Sequence, residues 1–274
     1  MKTRLILFVI CIAGLVSCEE IIQLDLEATP QKIVIEGLLT NRFRDQYVKI
    51  TRTSDFYETG ATEMVSNASV SVIDSDGILY RYGQASPGYY LPITIFSGQV
   101  GKTYRLSVRI GDQVYESEEE LLRLAPIDSL GYALTENPSE LREEKGQLYD
   151  LLLYFQEPQD TKDYYLFKFY RNDTLTYTNA NDIYLANDEV FSESIKGFPA
   201  PVFYSELDTA RMEMFSVSRN GYFFLSDLTN LQFSDGGLFG PVPANPRTNI
   251  SNGALGFFQV SAVRSAEIIL RKKR

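Results

Sequence analysis

The stretch Thr103–Glu118, "TYRLSVRIGDQVYESE", decides the fold. Tyr104, Leu106, Val108 and Ile110 fall on every second residue, while Arg105, Ser107 and Arg109 fill the gaps. A period of two sorts side chains onto opposite faces only in an extended strand, so this is a strand with one face toward water. Gly111-Asp112 supplies a turn that sends the chain back.

The same period recurs on both sides. "KIVIEGLL" places Ile33 and Ile35 together, and "QYVKITRT" does so with Val48 and Ile50. In "ASVSVIDSDGILYRY", Ala68, Val70 and Val72 form one face, Ile78, Tyr80 and Tyr82 return, and the hairpin turns near Asp74–Gly77. Asp74-x-Asp76-Gly77 has the start of a calcium loop without its closing glutamate, so Asp76-Gly77 is read as a primed turn. Roughly six or seven short strands therefore lie between Lys32 and Glu120, the number and spacing of an immunoglobulin-like or prealbumin-like sandwich.

Pro126 interrupts the pattern in "LLRLAPIDSLGY", and two strongly aromatic segments follow, "QLYDLLLYFQEP" and "DYYLFKFYRNDTLTYT", the second folding over at Asn172-Asp173. Between Asn220 and Phe233, Tyr222, Leu225, Leu228 and Leu231 recur every third residue, which predicts one helix packed on a sheet and ended by Gly236-Gly237. "GALGFFQVSAV" and "AEIIL" read as closing strands, and Arg271–Arg274 as a solvated basic tail. The expectation is a mainly β chain of two β-rich domains: residues 32–124 a sandwich, and residues 125–274 a second β domain with about one helix.

Composition narrows the function classes. The 274 residues carry 26 Lys and Arg against 36 Asp and Glu, no His and no Trp. Such an anionic excess repels phosphate backbones, so nucleic acid is excluded as a partner. Without histidine the commonest general base and metal ligand are both missing. The sequence shows no G-x-S-x-G, S-x-x-K, P-loop or H-E-x-x-H motif, and it assigns no catalytic, cofactor-binding or metal-ligating residue. Tyr89-Tyr90 and Tyr164-Tyr165 are doublets in which alternation points one ring outward, suited to a peptide or glycan or simply to covering a sheet.

At the amino terminus, Lys2 and Arg4 precede the apolar run Leu5–Val16, "LILFVICIAGLV". As a helix this run would rise about 18 Å, against a hydrocarbon thickness of about 30 Å, too short to span comfortably. It is a secretory signal, and Leu15-Val16-Ser17-Cys18 resembles the bacterial lipoprotein box. That resemblance implies residues 1–17 as a removed signal peptide, diacylglycerol on the Cys18 sulfur and a further fatty acyl group, such as palmitate, on the new terminus. Several chains on one residue anchor a protein stably. Residues 18–31 form the lipidated start and a tether. The alternative is an ordinary signal with Cys18 as an incidental thiol, or an uncleaved anchor. Glu19-Glu20 is similar to acidic signals that send lipoproteins to the cell exterior, with Ile21-Ile22 departing from the pattern.

"SCEEIIQLDL", "KIVIEGLLTN", "YVKITRTSDF", "VSNASVSVID", "YYLPITIFSGQVGKTYRLSV" and above all "GPVPANPRTNISNGALGFFQVSAV" resemble, in that order, the Bacteroidota lipoproteins grouped as domain of unknown function 4249. The resemblance implies an outer-membrane lipoprotein, often encoded beside a TonB-dependent transporter, with no established reaction. Asn252-Gly253 in the closing motif reads as a tight turn, and Gly240–Pro243 as a rigid extended loop. Three function classes remain: a non-catalytic binding accessory of such a transporter, a structural or adhesive envelope protein, and a glycoside hydrolase using paired carboxylates.

Overall fold

A computed structural model describes residues 30–54, 60–135, 148–176, 182–188, 194–233 and 244–271. The expected signal peptide, Cys18 with most of the expected tether, Gly236-Gly237, Gly240–Pro243 and all but the first residue of the basic tail lie outside these.

The first sheet takes strands from both ends of the chain. It comprises β1 (Ile33–Thr40), β2 (Tyr47–Arg52), β3 (Ser69–Asp74), β4 (Leu79–Ser86), β5 (Tyr89–Pro92), β6 (Thr103–Ile110), β7 (Gln113–Glu120) and β15 (Leu255–Ser261), in the order β15-β1-β2-β5-β4-β3-β6-β7. Alternation sets its faces as expected: Ile35, Val48, Ile50, Val72, Tyr104, Leu106 and Val108 are buried, while Arg105 and Arg109 are exposed. The β6–β7 hairpin turns on Gly111 at a φ of 58°, with Ile110 paired to Gln113.

The β3–β4 turn differs from the primed form expected. Only Gly77 is left-handed, at a φ of 84°. The cause is Asp74, whose Oδ1 accepts the Asp76 and Ile78 amides at 3.1 and 2.9 Å, while its carbonyl accepts Gly77 N–H at 2.9 Å. A type I turn followed by a left-handed glycine satisfies all of these donors.

All seven strands β1–β7 share this one sheet, so the segment 32–124 is not two stacked sheets of the immunoglobulin kind. The sheet instead curls until its ends nearly meet. Ser251 N–H donates to the Glu116 carbonyl of β7 at 2.8 Å, and Glu116 N–H donates to Ser251 Oγ at 2.7 Å. Asn249 exchanges two bonds with the Phe258 main chain of β15, at 2.9 and 3.0 Å, and its amide also donates to the Glu119 carboxylate at 2.9 Å. Asn252 and Gly253 are left-handed, the tight turn expected, and they reverse the chain into β15. β15 then runs parallel to β1, where Gly256 sits at a φ of 96° and any Cβ would strike the Ile35 carbonyl.

Two further sheets complete the chain. One has the order β13-β9-β8, from β8 (Ile127–Leu134), β9 (Leu148–Gln156) and β13 (Ser194–Ser205). The other has the order β11-β10-β14-β16, from β10 (Tyr164–Arg171), β11 (Thr174–Leu175), β14 (Thr209–Ser216) and β16 (Val263–Ile269), with β12 (Tyr184–Asn187) also on β10. Asn172 and Asp173 are both left-handed, giving the β10–β11 reversal expected. The predicted helix is α1 (Arg219–Phe233), whose Tyr222 and Leu225 pack on Leu166, Phe215, Val217 and Val263.

The expected seam near residue 125 marks a change of sheet, while Gln31–Arg274 makes up one unit. The chain passes from β15 to β16 through Ala262 alone, and one core joins Leu106 and Phe258 to Leu151, Phe169 and Met212. Arg42, in the β1–β2 connection, reaches Glu213 of β14 at 2.6 Å.

Removing the Asn249 amide leaves the Phe258 N–H and carbonyl unpaired and takes one of its hydrogen bonds from the buried Glu119. Asn249→Ala is expected to cost about 2–4 kcal/mol in urea unfolding, and a loss below about 0.5 kcal/mol would show that the closure does not depend on it.

Candidate functional site

The sequence "GFPAPVF", Gly197–Phe203, cannot continue as a regular strand. Gly197 adopts a φ of 76° and adds one residue to the ladder with β9. Farther on, Pro199 pairs with Leu152 and Phe203 with Asp150, so Ala200, Pro201 and Val202 together face Leu151. Prolines lack the N–H that a neighbouring strand needs, and bulges turn an edge away from pairing. β13 therefore stands off from β12, and a cleft opens between the two sheets.

The cleft has two joined hollows. The inner one, about 320 Å³, is floored by Leu153, Phe167, Phe169, Ala186 and Ala200, all buried, and rimmed by Phe198 and Pro199. The outer one, about 420 Å³, is bordered by Arg171, Thr174, Thr176, Val202 and Phe203. Tyr184 and Pro201 line both. The Tyr184 ring stands edge-on to Phe169 at 5.5 Å, and its hydroxyl reaches the Pro201 carbonyl at 3.4 Å.

Electrostatically the cleft is nearly neutral. The inner hollow is lined by no charged side chain. In the outer one, Arg171 is bound by Asp208 at 2.5 Å and donates to Ser205 Oγ at 2.8 Å. Behind this wall Tyr204 is fully buried, and its hydroxyl has no hydrogen-bond partner among the described residues. Burial raises its pKa, with Asp208 and Tyr184 adding to the rise and Arg171 opposing it.

The tyrosine doublets do not meet here. Tyr90 is buried, accepting from Ala68 N–H at 2.9 Å and donating to the Val65 carbonyl at 3.0 Å, while Tyr89 is turned outward beside Tyr47. Tyr164 packs against Tyr222 of α1, and Tyr165 is buried with its hydroxyl on Glu157 at 2.9 Å. One ring of each pair is buried, as alternation requires, and none of the four lines the cleft. The sequence reading passed over 197–203, although a glycine and two spaced prolines inside an aromatic strand were a legible sign of a broken edge.

A carboxylate cluster lies apart from the cleft. Glu157 is buried, with one oxygen on Tyr165 and the other unpartnered among the described residues. Burial pushes its pKa up to about 7; the Tyr165 hydrogen bond opposes this, and Asp163 and Asp188 add to it. Asp188 accepts the Asp163 amide at 2.8 Å, and Arg123 holds Asp160 and Thr161. Among the described residues, no group of three Cys, Asp or Glu side chains is arranged to hold a metal ion.

A nearly closed β sheet joined to a second pair of sheets, with a cleft of nearly neutral lining between β12 and β13, defines a β-rich protein. The model of a domain of unknown function, DUF4249, matches residues 19–267, and the chain belongs to this family. No curated protein matches it.

Because Glu157 binds its proton more tightly when folded, its stabilising contribution is complete below about pH 4.5 and is lost as pH rises toward 7. Glu157→Gln is expected to match the wild type near pH 4.5. By pH 7.5 it should exceed it by on the order of 1–2 kcal/mol, allowing for solvent screening. Parallel stability profiles from pH 4 to 8 would count against a raised Glu157.

Proposed function

We propose that this is an outer-membrane lipoprotein, anchored through acylated Cys18 and facing the cell exterior, that serves as a non-catalytic binding accessory of a TonB-dependent transporter. The observation that carries the binding role is the cleft itself. Its inner hollow is walled by hydrocarbon and aromatic rings with no carboxylate or amine among them, a surface built to hold rather than to react. The lipoprotein box at Leu15–Cys18 supports the anchor, and no described helix is long and apolar enough to cross a membrane. Family membership supports the transporter link only through the resemblance described above. Glu157, Asp163 and Asp188 line neither hollow, which weakens the glycoside hydrolase reading.

A structural or adhesive role is the second reading. It is favoured by Ile73, Leu79, Leu91 and Ile93, exposed aliphatic side chains on the outer face of β3, β4 and the end of β5. Contiguous apolar surface of this kind marks contact sites.

With labelled palmitate, the wild-type chain is expected to incorporate label, sediment with envelope fragments and co-purify with a transporter in mild detergent. Cys18→Ser should stay unlabelled and at precursor mass. Unaltered maturation and sedimentation of the variant would overturn the anchor, and repeated purification without a transporter would favour the structural role.

A further inference from the structure

We infer that the outward face of β3, β4 and the end of β5 lies on the surface of a phosphate-bearing bilayer, with its aliphatic side chains entering the interface and Arg81 meeting lipid phosphate. This rests on the lipid anchor proposed above and names the part of the folded chain that touches the membrane.

The face is contiguous. Ile73 pairs with Leu79, and Gly83 with Leu91. Ile93 donates its N–H to the Arg81 carbonyl at 2.8 Å, and its side chain lies where a Cβ on Gly83 would meet it. Ile93 is 70% exposed and Leu79 48%, so both project into solvent rather than lining a fold. Tyr89 stands at the margin, two residues before Leu91 on the same side of β5, and stacks on Tyr47 at 5.7 Å. Amphipathic rings take that place at a membrane, level with the headgroups.

Charge selects lipid as the occupant. The chain carries a formal net charge of -10, which an anionic surface repels. This face is an exception, because the outward positions of β3 and β4 hold Arg81 and no carboxylate, Asp74 being buried. Arg81 is exposed and has no ion pair among the described residues, and the same holds for Arg109 on neighbouring β6. Arg105 of β6 neutralises Glu118 at 2.7 Å, and the acidic row of β7 lies two strands beyond β3. Free guanidinium groups beside an apolar patch match phosphate headgroups above hydrocarbon. Protein partners are gripped chiefly through aromatic and Met side chains, whereas Ile73, Leu79, Leu91 and Ile93 are plain aliphatics that a fluid interface accepts without a matching shape. Reach allows the contact. The run from Cys18 to Pro30 extends at most about 40 Å. Leu91 lies two strands across from β1 and a few residues along from Ile33, roughly 20 Å away at ordinary sheet spacings.

The acylated full chain is placed in vesicles of phosphatidylethanolamine and phosphatidylglycerol, carrying nitrobenzoxadiazole on Ile93→Cys, on Leu79→Cys or, as a control, on Leu207→Cys. Leu207, on the β13–β14 turn, is 72% exposed and so matches Ile93 in access to the label. Removal of Cys11 and acylation of Cys18 leave the introduced thiol as the one labelled. The labels at 93 and 79 are expected to shift their emission to the blue, and doxyl lipids should quench them at least about fivefold more than the label at 207. The mature-length chain with Cys18→Ser reads the same face without the anchor. Its label at 93 should respond to these vesicles more than its label at 207, and Arg81→Glu should weaken that response about fivefold or more. Equal quenching at 93, 79 and 207 in the acylated chain overturns the inference. Protection of the 93 label that grows with protein concentration in the absence of lipid would give the face to a second copy, and protection seen only with a transporter present would give it to that partner; either result overturns it. Palmitate is scored on the same samples. A palmitoylated chain with a wet label at 93 sinks the face alone, whereas a chain without palmitate sinks the anchor and leaves the unacylated chain to decide the face.

Discussion

The carboxamide of Asn249 is the constraint on which the first sheet depends. It imitates a strand residue toward Phe258, accepting its N–H and donating to its carbonyl, and turns its remaining donor to Glu119 on β7. One side chain thus ties β15 to β7, the two ends of the sheet. Both partners lie where water is scarce: Glu119 is buried, and burial raises its pKa against the Asn249 and Ser218 hydrogen bonds that lower it. An open sheet of this width would expose two edges, whereas the curl leaves little of either for pairing with another chain. The stretch "NPRTNISNGALGFF" is therefore largely a closing device, with Asn249, Ser251, Asn252, Gly253 and Gly256 each holding one part of it.

The second pair of sheets solves its edges in the opposite way. Gly197, Pro199 and Pro201 make β13 unfit for a regular partner, and the space this leaves beside β12 remains open. The carboxylates Glu213 and Glu157 of this half lie elsewhere: Glu213 is held by Arg42, Arg211 and Tyr170, and Glu157 lies with Tyr165 and Asp188. These charges join elements, and the inner hollow has no charged side chain in its lining.

Local features were legible in the sequence because local physics fixes them. Alternation in Thr103–Ile110 sorted the side chains correctly, Asn172-Asp173 turned the chain as its left-handed tolerance allows, and the stripe from Tyr222 to Leu231 folded as a helix. The turn at Asp74–Gly77 differed because a side-chain carboxylate outbid the primed geometry, a contest that composition does not reveal. The two-domain expectation met a pairing between opposite ends of the chain, Val34 with Leu255, on which periodicity is silent. The cleft was half legible: the broken edge could be read from its prolines, but not which strand would face it.

The parallel pairing of β1 with β15 also constrains the order of assembly. β1 is made more than two hundred residues before its outer neighbour, as the pairing of Val34 with Leu255 shows. Until then β1 can pair only with β2, and β7 lacks the 249–252 segment that lies against it. Non-local closure of this kind makes folding slow and leaves strand edges exposed meanwhile.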